Sequence, residues 1–381
     1  MTPDELLTWC RADEPWLLET LEALVRLESP STSKTAVDRC GVELALGLES
    51  IGARVDRLPQ AARGDHLRAE FPGTAGGRPV LILGHFDTVW DVGELARMPI
   101  REEGGRLHGP GIFDMKAGIA VAMQAMRALA AAGGPPRPDV VMLWTTDEEI
   151  GSATSRGIIE EEARRSAAVL VLEPSLPGGA AKTARKGCGD FELTVRGVSA
   201  HAGIDPGGGA SAIHEMARQV SALERLRDID PAVSVNVGLI RGGTRPNVVA
   251  DEAHASIDVR APTMAAAARV EDAVRGLVPT LRGTTLEITG GFGRPPLERT
   301  SQVMRLYEVA RDAARELGVE LGEGSTGGGS DGNFTAALGV PTLDGLGPMG
   351  DGAHARHEHV LRQDLCWRAA FVGLLLTRLA R

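Results

Sequence analysis

Cysteine is scarce in this chain, and the four present (Cys10, Cys40, Cys188 and Cys366) form no CxxC pair. That excludes a disulfide framework or a thiolate zinc site and points to a reducing compartment. Aromatic residues make up only 3%, with Tyr307 the single tyrosine, which leaves few platforms for stacking single-stranded nucleic acid. Positive charge is also in short supply. A net charge of −10 and a pI near 5.5 give no general attraction to nucleic acid or an anionic membrane. No stretch approaches the ~18 consecutive apolar residues of a membrane span. The opening MTPDELLTWCRADEPW carries acids early and no apolar core of signal-peptide length. The expectation is a cytoplasmic protein with neither nucleic acid nor membrane as partner.

What is present is an ordinary globular composition, 43% hydrophobic and 24% charged over 381 residues, enough for two domains with cores of their own. Helical spacing marks 16–28 and 35–50, and short β-like runs follow at 53–58, 66–71 and 80–83. A glycine-rich crossing (104–111) leads to a long Ala- and Met-rich helix over 116–132, which GGPPRP should stop. A buried strand at 140–144, a helix at about 155–165 and another buried strand at 168–172 complete the first part. Continuous apolar strands alternating with helices predict a sheet covered on both faces, the α/β class.

The pattern changes after Pro177. From Ala181 to about Phe292 it reads strand, strand, helix, strand, strand, helix, strand, with helices over 209–227 and 264–281. That order predicts an antiparallel, ferredoxin-like α+β segment. GRPPLERT (293–300) reads as a linker back, after which helical and strand patterns resume. Residues 181–293 are therefore taken as an insertion into one domain made of 1–180 and 294–381.

A dispersed group of hard and borderline metal ligands carries the chemistry. His85 and Asp87 lie in LILGHFDTV, Asp114 in GPGIFDMKAG, Glu148 and Glu149 in VVMLWTTDEEIGS, Glu173 at the end of AAVLVLEPS, and His354 in GDGAHARHEHV. Carboxylates mixed with imidazole and free of cysteine suit a hydrolytic zinc site or another divalent one. His85, Glu148, Glu149 and Glu173 follow apolar strand runs, and ligand sites in open α/β sheets gather at the carboxyl ends of strands. The set permits a two-metal arrangement in which Asp114 bridges, His85 and Glu173 serve one ion, and Glu149 and His354 serve the other. Asp87 is placed to accept the other imidazole N–H of His85, and Glu148 is spare for general-base work. Each residue alone has a plainer reading. His85 could be a loop histidine, Glu148 and Glu149 a solvated helix start, and Asp114 a helix N-cap. The joint pattern favours the metal reading.

The strings GHFDTVW, GPGIFDMKAG, TTDEEIGS, VLEPS, VSAHAG, GGTRPNVVADEAHASIDVR and STGGGSDGNF resemble a di-zinc metallopeptidase family. That family includes glutamate carboxypeptidase (the carboxypeptidase G type), acetylornithine deacetylase, succinyl-diaminopimelate desuccinylase and aminoacylase. The resemblance runs from about Leu17 to the C-terminus. It implies a zinc-exopeptidase-like α/β sheet with helices on both faces and an inserted dimerisation lid. It also implies two divalent ions, zinc foremost, held by His85, Asp114, Glu149, Glu173 and His354, with Asp87 and Glu148 as the catalytic pair. His354 is preferred over His357 and His359 because Glu358 and Val360 follow it at the family's spacing; the other two are expected at the surface or behind the ligand.

The resemblance further implies that His201, in SAHAG, reaches the partner subunit's site to steady an oxyanion, and that Asn247 and Arg260 help hold a substrate carboxylate. A strand-end salt bridge is the plainer reading of Arg260. TGGGSDGN (326–333) lacks the Lys-Ser/Thr ending of a P-loop and no clear strand precedes it, so a backbone approach to substrate or metal loop is expected instead. Cys188 is expected to pack as a small hydrophobe.

The expected activity is metal-dependent hydrolysis of an amide bond to a C-terminal amino acid, of the glutamate carboxypeptidase kind, on a small peptide or N-acyl amino acid, by a homodimer. The alternatives are an N-acyl-amino-acid deacylase and a non-catalytic binding protein on the same fold.

Overall fold

The computed structural model describes residues 2–74, 76–132 and 138–379. The chain divides into two compact units, one of Met1–Thr183, Arg299–Ser325 and Ser330–Arg381, the other of Ala184–Glu298 and Thr326–Gly329. Along the first unit run α1 (Pro3–Ala12), α2 (Glu14–Arg26), α3 (Lys34–Ser50), β1 (Arg54–Leu58), β2 (His66–Phe71), β3 (Val80–His85), β4 (Arg101–Glu103), β5 (Arg106–His108), α4 (Ala117–Ala131), β6 (Val140–Thr145), α5 (Arg156–Arg165) and β7 (Ala168–Val171). After β8 (Ala181–Arg185) the second unit contributes β9 (Gly187–Arg196), α6 (Ala212–Glu224), β10 (Ser234–Gly242), β11 (Glu252–Ala261), α7 (Met264–Arg275) and β12 (Thr285–Arg294). The chain then adds α8 (Ser301–Glu316), β13 (Glu323–Thr326), α9 (Gly332–Ala337), β14 (Thr342–Leu343), β15 (Gly350–Asp351), β16 (His359–Leu361) and α10 (Arg362–Arg378).

The first unit is built on a mixed sheet of order β1-β2-β6-β3-β7-β14. Its apolar strands bury both faces because successive side chains point to opposite sides. On β3, Val80 and Ile82 join the large core that also holds α1 to α4, α8 and α10, while Leu81 and Leu83 join Ile159 and Phe334 beneath α5 and α9. Strand β3 runs parallel to both β6 and β7, with Val80 opposite Val140 and Ala168. Their carboxyl ends therefore line up, with His85 opposite Thr145 and Leu83 opposite Val171. This register places the polar residues after each strand along one edge.

Several expected elements are adjusted. The N-terminal segment, for which no element is expected, is a helix: Thr2 Oγ1 accepts from Glu5 N–H (3.2 Å) and Glu5 Oε2 from Thr2 N–H (2.8 Å), a capping box that starts α1. The glycine-rich crossing begins as a hairpin, because Gly104 (φ 58°) and Gly105 (φ 75°) make the tight left-handed turn that joins β4 to β5. That hairpin forms a four-stranded sheet of order β15-β16-β5-β4. Helix α4 ends at Ala131, and GGPPR (133–137), the expected stop, lies outside the described residues.

The second unit is an antiparallel sheet of order β10-β11-β9-β12 with α6 and α7 packed on it. Strand β11 buries every second residue, Ala253, Ala255, Ile257, Val259 and Ala261, against Met216, Leu223, Val270 and Val274 of the helices. Helix α6 starts at Ala212 rather than 209, because the Ser211 hydroxyl caps it by accepting from His214 N–H. Helix α7 stops at Arg275, short of 281, where Gly276 and then Pro279 break the pattern.

Gly118, in the first turn of α4, lies against the end of β7. A Cβ there would come 2.1 Å from the backbone oxygen of Leu172, the residue before Glu173. Gly118→Ala is expected to cost about 1–3 kcal/mol, as overpacked cores do. Chemical denaturation of the metal-free protein measures this, and unchanged stability would contradict so close an approach.

Candidate metal centre

His85, the last residue of β3, is buried, and its ring sits between fixed partners. Nδ1 lies 3.0 Å from the backbone oxygen of Asp87, which can only accept, so Nδ1 carries a proton and Nε2 is the nitrogen turned toward the carboxylates. The Asp87 carboxylate, expected to take this N–H, stands slightly farther off at 3.4 Å. On the other side, Nε2 is 3.3 Å from Asp114 Oδ1 and 3.3 Å from Glu173 Oε1. Glu173 arrives two residues after β7.

Asp114 lies in the irregular turn Ile112–Lys116, where Asp114 (φ −116°, ψ 92°) and Met115 (φ −133°, ψ 35°) leave helical values and their peptide bond is cis. Lys116 anchors the turn: its buried Nζ donates to the Leu24 and Leu27 carbonyls at 2.9 and 2.8 Å, capping the end of α2. His354 follows β15 and holds the left-handed conformation at φ 60°, an uncommon state for a residue other than glycine. Its Nε2 is 3.4 Å from Asp114 Oδ2 and 3.1 Å from Glu149 Oε2. The two oxygens of Asp114 thus face different imidazoles and define two overlapping donor sets: His85, Asp114 and Glu173, and His354, Asp114 and Glu149.

These donors are electrostatically unfinished. Burial pulls His85 down, but Asp114, Asp87 and Glu173 outweigh it and raise the imidazole well above its ordinary value. Asp114 and Glu149 raise His354 to about 10. Burial pushes the Asp114 carboxyl up, yet His354 and His85 together hold it far below the usual carboxylate range. Glu149 is lifted by burial, with the Asp114 charge adding to it. Among the described residues, His85 Nε2 and Glu149 Oε1 are buried without a hydrogen-bond partner. An imidazole nitrogen facing carboxylate oxygens is a place for a divalent cation, and ligand atoms of His85, Asp114 and Glu149 all lie within 4.8 Å of one another. The residues fit a metal.

The turn that carries Glu148 and Glu149 (Glu148–Ile150) is fixed from beneath. Asp87 Oδ1 and Oδ2 stand 3.4 and 3.3 Å from the backbone N–H groups of Glu148 and Glu149, while Ser31 Oγ donates to Oδ2 at 2.6 Å. Asp147 accepts from Thr154 N–H (2.7 Å) and Oγ1 (2.8 Å). Asp331 accepts from Thr145 Oγ1 (3.0 Å) and from Ser152 Oγ. Asp331 belongs to the glycine-rich 326–333 loop, which does follow a strand, β13, and leads into the short α9. Its buried carboxylate braces the Glu148 turn.

The remaining candidates lie in the second unit. His201 is exposed and bridges to Val248, and the Asn247 carbonyl accepts from Ala202 N–H (3.0 Å), so His201 and Asn247 are neighbours. His201 Nδ1 accepts from the N–H groups of Gly203 (3.1 Å) and Ile204 (3.2 Å), which leaves Nε2 as its N–H donor. Arg260 is engaged by Asp258 through Nε (3.0 Å) and Nη2 (2.5 Å), and its Nη1 contacts the nearly buried Cys188. His357 is exposed, whereas His359 is buried beside His108 with ring centres 5.2 Å apart.

Sequence reasoning overlooked Ser31 and Asp331 and read Glu358 only as a spacing marker. Glu358 is fully buried, and burial raises its carboxyl to about 6 against the pull of N–H donors from Gly111, Asp114 and Phe113. The buried polar residues after Leu27, in ESPST, were the available signal for Ser31.

The sequence pattern of Peptidase family M20/M25/M40 matches residues 81–378. Carboxypeptidase G2 from a Pseudomonas species is 30% identical over 361 residues, covering 92% of this chain and 86% of that protein. Succinyl-diaminopimelate desuccinylase from Delftia acidovorans is 28% identical over 372 residues, covering 91% of this chain and 94% of that protein. The crystal structure of aminopeptidase PepT from Bacillus cereus has the same fold, with a TM-score of 0.82 at 23% identity and coverage of 97% and 99% of the two chains.

Because Asp114 is common to both donor sets, Asp114→Asn should weaken divalent-ion binding throughout, whereas His354→Ala should weaken one ion and spare the other. Zinc stoichiometry by atomic absorption after dialysis measures this. Equal losses in the two variants, or parental content in both, would contradict shared ligation.

Proposed function

The chain belongs to Peptidase family M20/M25/M40 and is a hydrolase of amide (C–N) bonds, and from that premise we propose that it releases a C-terminal amino acid, glutamate foremost, from a small peptide or N-acyl amino acid. The observation that carries this reading is the Asp114 carboxylate, whose two oxygens face His85 and His354. Two divalent ions, zinc foremost, are its cofactors, one held by His85, Asp114 and Glu173 and the other by Asp114, Glu149 and His354. When bound, such a pair polarises the scissile carbonyl and acidifies water.

The chain's own residues do the rest. Glu148 takes the proton of the attacking water on its carboxylate and returns it to the leaving nitrogen. Asp87, set by Ser31, orients the backbone of the Glu148–Glu149 turn and, through its carbonyl, the ring of His85. Residues 181–293 are read as an inserted, ferredoxin-like dimerisation lid on a catalytic domain of 1–180 and 294–381. From that lid, the His201 Nε2–H donates to the oxyanion, an assignment supported by the acceptor role of Nδ1. Asn247 and Arg260 address the substrate carboxylate, Arg260 by exchanging its partner Asp258 for substrate. Homodimerisation is supported by β10, an edge strand with Leu239 and Ile240 exposed. A cytoplasmic location suits four free cysteines.

The desuccinylase relative favours a second reading, in which an N-acyl-amino-acid deacylase removes an acyl group from a substrate other than glutamate. Comparing kcat/KM over N-acyl-glutamates, other N-acyl amino acids and dipeptides separates the two.

On its preferred substrate, Glu148→Gln should lower kcat about 10²–10⁴-fold while zinc content stays parental. Activity that survives exhaustive chelation, or is unchanged in Glu148→Gln, would contradict the mechanism. His201→Ala should lower kcat about 10²–10³-fold with zinc retained. Full activity from a monomer in sedimentation analysis would remove the cross-subunit role of His201.

A further inference from the structure

One buried carboxylate outside the donor sets is surrounded by donors. Glu358 Oε1 accepts from the backbone N–H groups of Phe113 (2.9 Å) and Asp114 (3.2 Å). Its Oε2 accepts from Gly111 N–H (3.0 Å) and from Trp90 Nε1 (2.8 Å). Trp90 stands five residues after His85, Asp114 is the shared donor, and Glu358 stands four residues after His354. A single side chain therefore ties together the segments that deliver His85, Asp114 and His354.

The backbone needs this tie. The N–H groups of Gly111, Phe113 and Asp114 lie ahead of α4, where no intrahelical carbonyl is available to them. Glu358 collects those groups at charge-assisted hydrogen bonds, which are stronger and more directional than neutral ones. Asp114, Glu149 and Glu173 also bring three carboxylates to one place, where like charges repel one another and a fixed backbone is needed to keep them together.

We propose that Glu358 is a positioning residue that holds the Asp114 turn in ligand geometry before any ion arrives, acting through the amides of Gly111, Phe113 and Asp114. The proposal rests on the reading of Asp114 as the shared metal ligand. It makes a carboxamide at this position disruptive despite its matching shape, because the amide NH₂ would face donors where a carboxylate oxygen now accepts.

The test titrates zinc into metal-free parent protein and Glu358→Gln in competition with a chromophoric chelator, with kcat and KM measured at both limiting and excess zinc. The expected result is zinc binding about 10–100-fold weaker in Glu358→Gln, as for other residues that orient metal ligands. Excess zinc should restore kcat toward the parental value and leave KM little changed. Affinity within about twofold of the parent would overturn the proposal, as would a kcat deficit that excess zinc leaves in place; the 10–100-fold range sets this threshold. Should Glu358→Gln fail to fold, Trp90→Phe removes one donor while keeping an aromatic ring. It should bind zinc several-fold more weakly, and parental affinity there would overturn the proposal. Asp114→Asn separates the two layers of the argument. If it binds zinc like the parent, the ligand reading itself fails; if it loses zinc while the Glu358 and Trp90 variants do not, only the positioning role fails.

Discussion

The shared carboxylate of Asp114 sets the terms for everything around it. Its two oxygens face His85 and His354, and two further carboxylates, Glu149 and Glu173, complete the group on either side. Bringing like charges to a largely buried place is unfavourable unless something fixes them there and something else compensates them. The parallel register of β3, β6 and β7 does the fixing at long range, since it lines up the ends from which His85, Glu149 and Glu173 emerge. Close packing does it at short range, with Gly118 letting the start of α4 approach the residue before Glu173.

Two kinds of buried charge can be told apart here. Asp87, Asp331 and Glu358 have hydrogen-bond donors at both carboxylate oxygens and belong to the framework. His85 Nε2 and Glu149 Oε1 lack partners although both are buried. A framework that supplies donors to the first group and leaves these two atoms without them fits a cation between the ligand residues. The carboxylates also push both imidazoles toward the charged form.

The α/β class and the donor set were legible in the sequence for one physical reason. Parallel strands buried on both faces are continuous apolar runs, so LILGH, MLWTTDEE and VLVLEP show abruptly where each strand ends and polar residues begin. The framework was not legible in the same way. Glu358 recognises backbone N–H groups some 245 positions away, and backbone amides carry no residue-type signature. Ser31 and Asp331 act across 56 and 186 positions. The hairpin of β4 and β5 and the helix α1 were missed for a local reason. A glycine pair and a capping threonine are the local marks of these short elements, and neither is accompanied by a long apolar period. Arg260 shows the plainer of its two sequence readings, a strand-end salt bridge, here with Asp258.

If the shared carboxylate organises the centre, its occupancy in the assembled protein decides the account. Anomalous diffraction at the zinc edge, from crystals of the zinc-loaded protein, locates bound ions independently of any assumed ligands. The expected result is two peaks, each within coordination distance of a different oxygen of Asp114, one beside His85 and Glu173 and the other beside His354 and Glu149. A single peak, or peaks that leave Asp114 uncoordinated, would contradict it.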